Sequence, residues 1–349
     1  MPSRMKRLHL VALLIGSSLF VYLMQQVGLG RIFHALGRMG SAFLLLLLIS
    51  GFRHSLRAMA WLRCFEPNHA HISWSTLFAV RLAGEAVRFL SFLGPLLGEP
   101  VKIALMKKRL PLEERVSSVI IENLTYAMSA IVITLSGIVL FFTTAPSRNG
   151  LAHIGLGVAL ILVGAALLIG WVVACRCHPL ARAMRALAER TGIGWVRGAA
   201  NGVERVEESV SDFYSHRRST LVLVFSLQLA THFTSMAEIY LILNALDVEA
   251  SFLTAFTIEA LIKIVNFAFF FVPAQVGVFE GGNALILEAL ELGVATGVVL
   301  ALIEKVRTLA WAGCGLIALG WMLRRRTLAG VTEAIEGADL VPPPRVVPQ

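Results

Sequence analysis

Val272-Pro273-Ala274-Gln275-Val276-Gly277-Val278-Phe279-Glu280-Gly281-Gly282 breaks an apolar run with a proline, glycines, a glutamine and a carboxylate. The residues before it, Phe267–Val272, are hydrophobic enough to sit in lipid. Beyond Val272 the chain cannot continue as ordinary membrane helix, because Pro273 has no N–H and its ring clashes with the preceding turn. Broken backbone at bilayer depth survives only where protein or a water-filled cavity satisfies its polar groups. A break beside a carboxylate therefore marks a place to look for function.

Working outward, long apolar windows recur from end to end. The chain is 57% hydrophobic and only 15% charged, where a soluble domain carries about a quarter charged residues. This predicts an all-α polytopic membrane protein. A β-barrel would need short alternating segments, which the sequence lacks. The net charge of +9 does not point to nucleic acid, because Lys and Arg concentrate in loops as the positive-inside rule requires. Cys175-Arg176-Cys177-His178 has no distant partner pair, so neither a metal nor a cofactor is expected.

Arg4, Lys6 and Arg7 hold the N-terminus in the cytoplasm, and a first span is predicted over Leu8–Val27. It reads as a span rather than a cleaved leader, since no small-residue cleavage site comes after it. A second span, about Ala42–Leu62, carries Arg53 and Arg57 on one face. Near the bilayer middle these would face protein, water or an anionic group; near an interface they would snorkel. From Trp74 to Met106 the pattern changes: Arg81, Glu85 and Arg88 share a face, then come Pro95, Gly98, Glu99 and Lys102. Basic flanks on both sides predict a re-entrant hairpin broken at Gly94-Pro95.

Further spans are predicted at about Ser117–Phe142, with Glu122 near its start, at Leu151–Ala174, and at Thr220–Leu243, where Gln228, His232 and Ser235 share a face. Between the last two, residues 176–218 carry eight arginines against five acidic residues and read as cytoplasmic surface helix. A second hairpin, near 252–292, contains Glu259, Lys263, Pro273, Gln275, Gly277 and Glu280. The last span, about Ala295–Leu323, carries Glu304, Lys305 and Arg307 and ends at the cytoplasmic anchor Arg324-Arg325-Arg326; residues 325–349 read as a disordered cytoplasmic tail.

With both termini cytoplasmic, each half reads span, span, hairpin, span, with the second inverted: a first repeat over 1–143 and a second over 151–324. In all, about six full spans and two re-entrant hairpins are expected. Glu85-Ala-Val with Arg88 and Glu259-Ala-Leu with Lys263 suggest a loose correspondence. Paired broken segments in two halves are a sequence pointer to a transporter's binding site. Their helix ends present free N–H groups suited to a phosphate or carboxylate.

At these residues the sequence resembles the flippase-like membrane domain shared with lysylphosphatidylglycerol synthases. That domain carries a proline followed by Gly-Glu-x-x-Lys, matched by Pro95, Gly98, Glu99 and Lys102, and a later Pro-x-x-x-Gly-x-x-Glu, matched by Pro273, Gly277 and Glu280. Of its intervening Glu-Arg pair only Glu122 is matched, since Asn123 replaces the arginine; Ala274 and Gln275 replace a double glycine. Glu280-Gly281-Gly282 and Glu304-Lys305-x-Arg307 look closest to the branch associated with hopanoid lipids. The resemblance implies movement of a lipid or lipid-linked molecule across a bacterial inner membrane. The synthase's aminoacyl-transfer domain has no counterpart, so synthase activity is not expected.

The candidate headgroup cations are Arg53, Arg57, Arg88, Lys102, Lys263 and Arg307. Their candidate partners or proton carriers are Glu85, Glu99, Glu122, Glu259, Glu280 and Glu304. The alternative for each is a fixed buried pair that only holds helices together. The expected partners are a membrane lipid as substrate and lipid-synthesis enzymes as neighbours, with no nucleic acid. Two other functions compete: an intramembrane lipid-modifying enzyme, for which no clustered nucleophile or metal spacing stands out, and a non-catalytic partner of a lipid or glycolipid synthase, built on the helices of 176–218.

Overall fold

The structure is a computed structural model describing residues 30, 37, 39–66, 72–91, 94–107, 109–144, 149–191, 194–269, 272, 275 and 277–339; for 94–96, 144, 149–154 and 325–339 it describes the backbone alone. The expected first span over Leu8–Val27 and Pro273 lie outside these residues.

The described residues are all-helical. Five helices are long and apolar enough to cross a membrane: α1 (Ala42–Arg63), α4 (Leu112–Thr144), α5 (Asn149–Ala174), α8 (Arg218–Ala245) and the first part of α11 (Val294–Asp339). They coincide with five of the six predicted spans. α11 continues through 325–339, where the sequence reads as a disordered tail; no proline or glycine pair interrupts it before Pro342-Pro343-Pro344. None of the α5 span is buried, in keeping with its lack of polar residues, and among the described residues it packs mainly on α4 and on α7 (Gly194–His216).

α1 and α8 form the centre and run antiparallel. Arg217, just before α8, donates to the carbonyls of Phe65 and Arg63 at the end of α1, and Leu46 near the start of α1 is buried with Ile239 and Leu243 near the end of α8. Around this pair sit two helix–break–helix units, α2 (Trp74–Leu90) with α3 (Gly94–Leu105), and α9 (Phe252–Ala268) with α10 (Val278–Ala289). Each begins and ends at one end of the α1–α8 pair, and the two units use opposite ends. Leu77 of α2 and Met106 after α3 share a core with Trp61 and Phe65; Ala255 of α9 and Leu287 of α10 share another with Met39 and Leu246.

The two units are alike in length. α2 and α9 are each 17 residues, opened by Ser73 and Ser251 in extended backbone whose hydroxyls accept from Thr76 N and Thr254 N. α3 and α10 are each 12 residues. The pairing across units is crossed: α2 lies along α11, and α9 along α4.

Both breaks differ in position from the sequence expectation. In the first unit the chain leaves the helix at Ser91, in extended backbone, and Gly94-Pro95 opens α3. A proline fits a first helical turn, where its missing N–H would be unpaired anyway. In the second unit α9 stops at Ala268, short of Val272, and Gly277 at φ 82° caps α10, a left-handed backbone that favours glycine.

On the remaining side, α6 (Pro179–Thr191) and α7 form an antiparallel hairpin, tied by Arg176–Asp212, Arg185–Glu204 and the Glu207 carboxylate on the N–H groups of Leu180 and Ala181. α7 lies along the first part of α4, with Arg205 on Glu113 and Tyr214 on Thr125.

Candidate functional site

The site starts from α1. Arg53 and Arg57, one turn apart, reach into two separate networks. Glu122 of α4 anchors the first and is fully buried. Its Oε1 accepts from Arg57 Nη2 at 3.1 Å, Arg81 Nη1 at 3.2 Å and Gln228 Nε2 at 3.2 Å, and its Oε2 lies 3.9 Å from Lys102 Nζ. Glu85 gathers Arg81 at 3.3 Å, Arg88 at 2.8 Å and Arg57 at 3.6 Å. Lys102 also pairs with Glu99 at 2.5 Å and lies 5.5 Å from the ring centre of Trp61; Arg57 stacks over Tyr126 at 4.1 Å. Among the described residues the cations Arg57, Arg81, Arg88 and Lys102 thus face the carboxylates Glu85, Glu99 and Glu122, one positive charge in excess. Arg88, 53% exposed at its side chain, stands on the open side.

The second network is centred on Glu238 of α8, also fully buried, which joins Arg53 at 3.1 Å and Arg307. Arg53 also donates to Ser50 and Ser235, and Arg307 lies 3.6 Å from Glu304. Beside these are two smaller pairs: Glu259–Lys263 at 2.5 Å within α9, and Glu280–Lys305 between α10 and α11. The other oxygen of Glu280 accepts from Gly277 N at 2.8 Å, so this carboxylate closes the start of its own helix. Gln275 donates to Asn266 O at 3.2 Å and ties the break back to α9.

Glycines set how closely these side chains approach. A Cβ on Gly84 would stand 2.6 Å from Lys102 Cγ, and one on Gly98 2.7 Å from Arg88 Cβ. α2 and α3 therefore meet almost backbone to backbone, with each cation's stem crossing the other helix. Gly282 does the same in the second unit, where a Cβ would meet Val265 Cγ1 at 2.6 Å. Gly98 and Gly282 are each the fifth residue of their helices.

A family described as lysylphosphatidylglycerol synthase TM region matches residues 9–317. The chain belongs to this family. No curated protein and no solved structure matches it. Membership and the apolar helices make it an integral membrane protein related to lipid metabolism or transport.

Within this member of the family, the structure gathers Arg57, Glu85, Arg88, Glu99, Lys102 and Glu122 in one place and Arg53, Glu304 and Arg307 in another. Glu259–Lys263 and Glu280 stand in pairs of their own. The helix caps also set a different correspondence between the two units from the loose Glu85/Glu259 match. Counting from Ser73 and Ser251, Arg81 and Glu85 occupy the places of Glu259 and Lys263: the same i,i+4 pair with its charges reversed. Glu238, Arg81, Lys305, Gln228 and Tyr126 belong to the site but are absent from the sequence-derived candidates. Glu238 carried a signal, as a lone carboxylate in an apolar span one turn beyond Ser235.

Proposed function

We propose that the chain moves a lipid or lipid-linked molecule across the membrane, its anionic headgroup passing through the polar seam between the two helix–break–helix units while the hydrocarbon stays in lipid. The observation that carries this reading is the excess cation of the first network. Burying like charges without full compensation is expensive in a low-dielectric interior. Glu85 is shared by Arg57, Arg81 and Arg88, and Arg88, standing on the open side, suits a phosphate or carboxylate that would complete the balance. The matched lengths, matched caps, opposite entry ends and crossed packing of the units support an inverted repeat with two re-entrant hairpins. That architecture alternates access around a fixed central site.

On this reading the protein is a transporter rather than an enzyme: among the described residues Glu122 and Glu238 hold cations and Glu280 holds a helix end. Arg4, Lys6 and Arg7, the arginines of 176–218 and Arg324 support an orientation with both termini cytoplasmic, and the family resemblance makes a bacterial inner membrane the setting proposed for it. The hopanoid-branch likeness of 280–282 and 304–307 makes hopanoid-type lipids the first class to try, with anionic phospholipids beside them. A second reading rests on the α6–α7 hairpin. Its exposed Leu180, Leu187 and Trp195 offer a platform for a lipid- or glycolipid-synthesis enzyme.

The test is headgroup accessibility in proteoliposomes carrying labelled native lipids, comparing wild type with Arg88→Gln and Glu280→Gln. Wild-type movement that falls about tenfold in Arg88→Gln, the cost of one charge-assisted contact, supports transport through the first network. Movement lost only in Glu280→Gln moves the centre to the second unit. No movement across several lipid classes favours the platform reading.

A further inference from the structure

Near the C-terminal end of α4 a groove of about 420 Å³ opens between α4, α8 and α9. Its walls are Val139 and Leu140 of α4, Phe233 of α8, and Phe252, Leu253 and Phe256 of α9. The two hydroxyls that border it, Ser136 and Thr143, donate to the carbonyls of Val132 and Leu140 of their own helix. The groove therefore presents nothing that calls for a polar ligand. Its inner end is shut where α4 and α9 touch: Gly137 sits against Ala260 so closely that a side chain on the glycine would overlap it. One turn beyond that contact along α9 lies Lys263, paired with Glu259.

The groove faces outward from membrane-spanning helices. Val139 and Leu253 are 64% and 60% exposed, and Val139 and Phe233 belong to helices long and apolar enough to cross a membrane, whose outward faces meet hydrocarbon. By comparison, the outward Leu167 and Leu168 of α5 belong to a helix with no buried span residues. A concave apolar wall with aromatic rings gives a flexible chain many more dispersion contacts than a convex helix face does.

We propose that this groove seats one acyl chain of a membrane lipid in the leaflet at the α4 C-terminal end. The chain lies beside the α4–α9 contact that separates lipid from the Glu259–Lys263 pair. This rests on the lipid reading only for its purpose; occupancy itself is independent of translocation.

The test uses phosphatidylglycerol with a diazirine near the end of one acyl chain, incorporated into nanodiscs with the full chain, irradiated and mapped by peptide mass spectrometry. Adducts concentrated on 136–143 and 252–256, several-fold above those on α5, are the expected result. Leu253→Trp, which fills the groove from an exposed position, should reduce them, while Leu167→Trp on α5 should not. Even labelling of the groove and the α5 face overturns the proposal. So does a groove that stays unlabelled while α5 reacts, the pattern a second copy of the chain would give. Because no lipid movement is measured, a failed transport assay leaves this result intact, and an unlabelled groove leaves the transport reading intact.

Discussion

Glu122 holds more of the first network than any other single group, since Arg57, Arg81, Gln228 and Lys102 all converge on it in a fully buried position. Removing one partner of a buried ion pair leaves the others uncompensated, at about 3–5 kcal/mol. Glu122→Gln should therefore lower the unfolding temperature in detergent sharply. Glu99→Gln, whose side chain is 31% exposed and whose loss leaves Lys102 beside Glu122, should cost no more than about 1 kcal/mol. Equal effects would show that the cluster is solvated. In the second network Glu238 is shared by Arg53 and Arg307. A double-mutant cycle of Glu238→Gln with Arg307→Gln should show a coupling of about 1–3 kcal/mol, and additive losses would mean the pair contributes little.

At the scale of elements, the two helix–break–helix units depend on glycines where their helices cross. Gly98→Ala would put a methyl 2.7 Å from Arg88 Cβ and 3.1 Å from Gly84 O, so α3 must slide away and carry Lys102 from Glu122. The expected cost is about 1–3 kcal/mol, as for overpacking a core, together with loss of function. Gly281→Ala, with nothing within 4 Å of the added carbon, should be neutral or slightly stabilising by favouring helix. Thermal melts of the two variants compare them directly. The seventeen-residue helices were readable in part: Ser73 and Ser251 are cap residues followed three residues on by threonine, a local signal. The ends of those helices were not. Pro95 draws attention to itself, yet a proline is as compatible with opening a helix as with ending one, and only the packing of α3 against α2 fixes which occurs there.

For the whole molecule, orientation follows from charge. The short segment from α5 into α6 carries exposed Cys175 beside Arg176, and the proposed orientation has it in the cytoplasm, as the positive-inside rule predicts. In a variant keeping Cys175 but with Cys64, Cys177 and Cys314 replaced by serine, a membrane-impermeant maleimide should label inverted vesicles and leave intact spheroplasts unlabelled. The reverse pattern would turn the molecule over and put the acyl-chain groove in the inner leaflet. The antiparallel α1–α8 pair, with a unit entering from each end, then sets which side each break faces.

The membrane class, the placement of five described spans, the existence of two broken segments and most of the charges inside them are legible in the amino-acid order alone. These are local properties: a helix in lipid satisfies its own backbone, so length and hydropathy suffice to find it. Partnership, by contrast, comes from how the helices pack. Arg53 and Arg57 share a face of one helix, yet one turns to Glu238 and the other to Glu122, on different helices far away in the chain. That choice depends on where α4 and α8 cross α1, a geometry fixed by small residues and close packing between helices. No window of sequence records it.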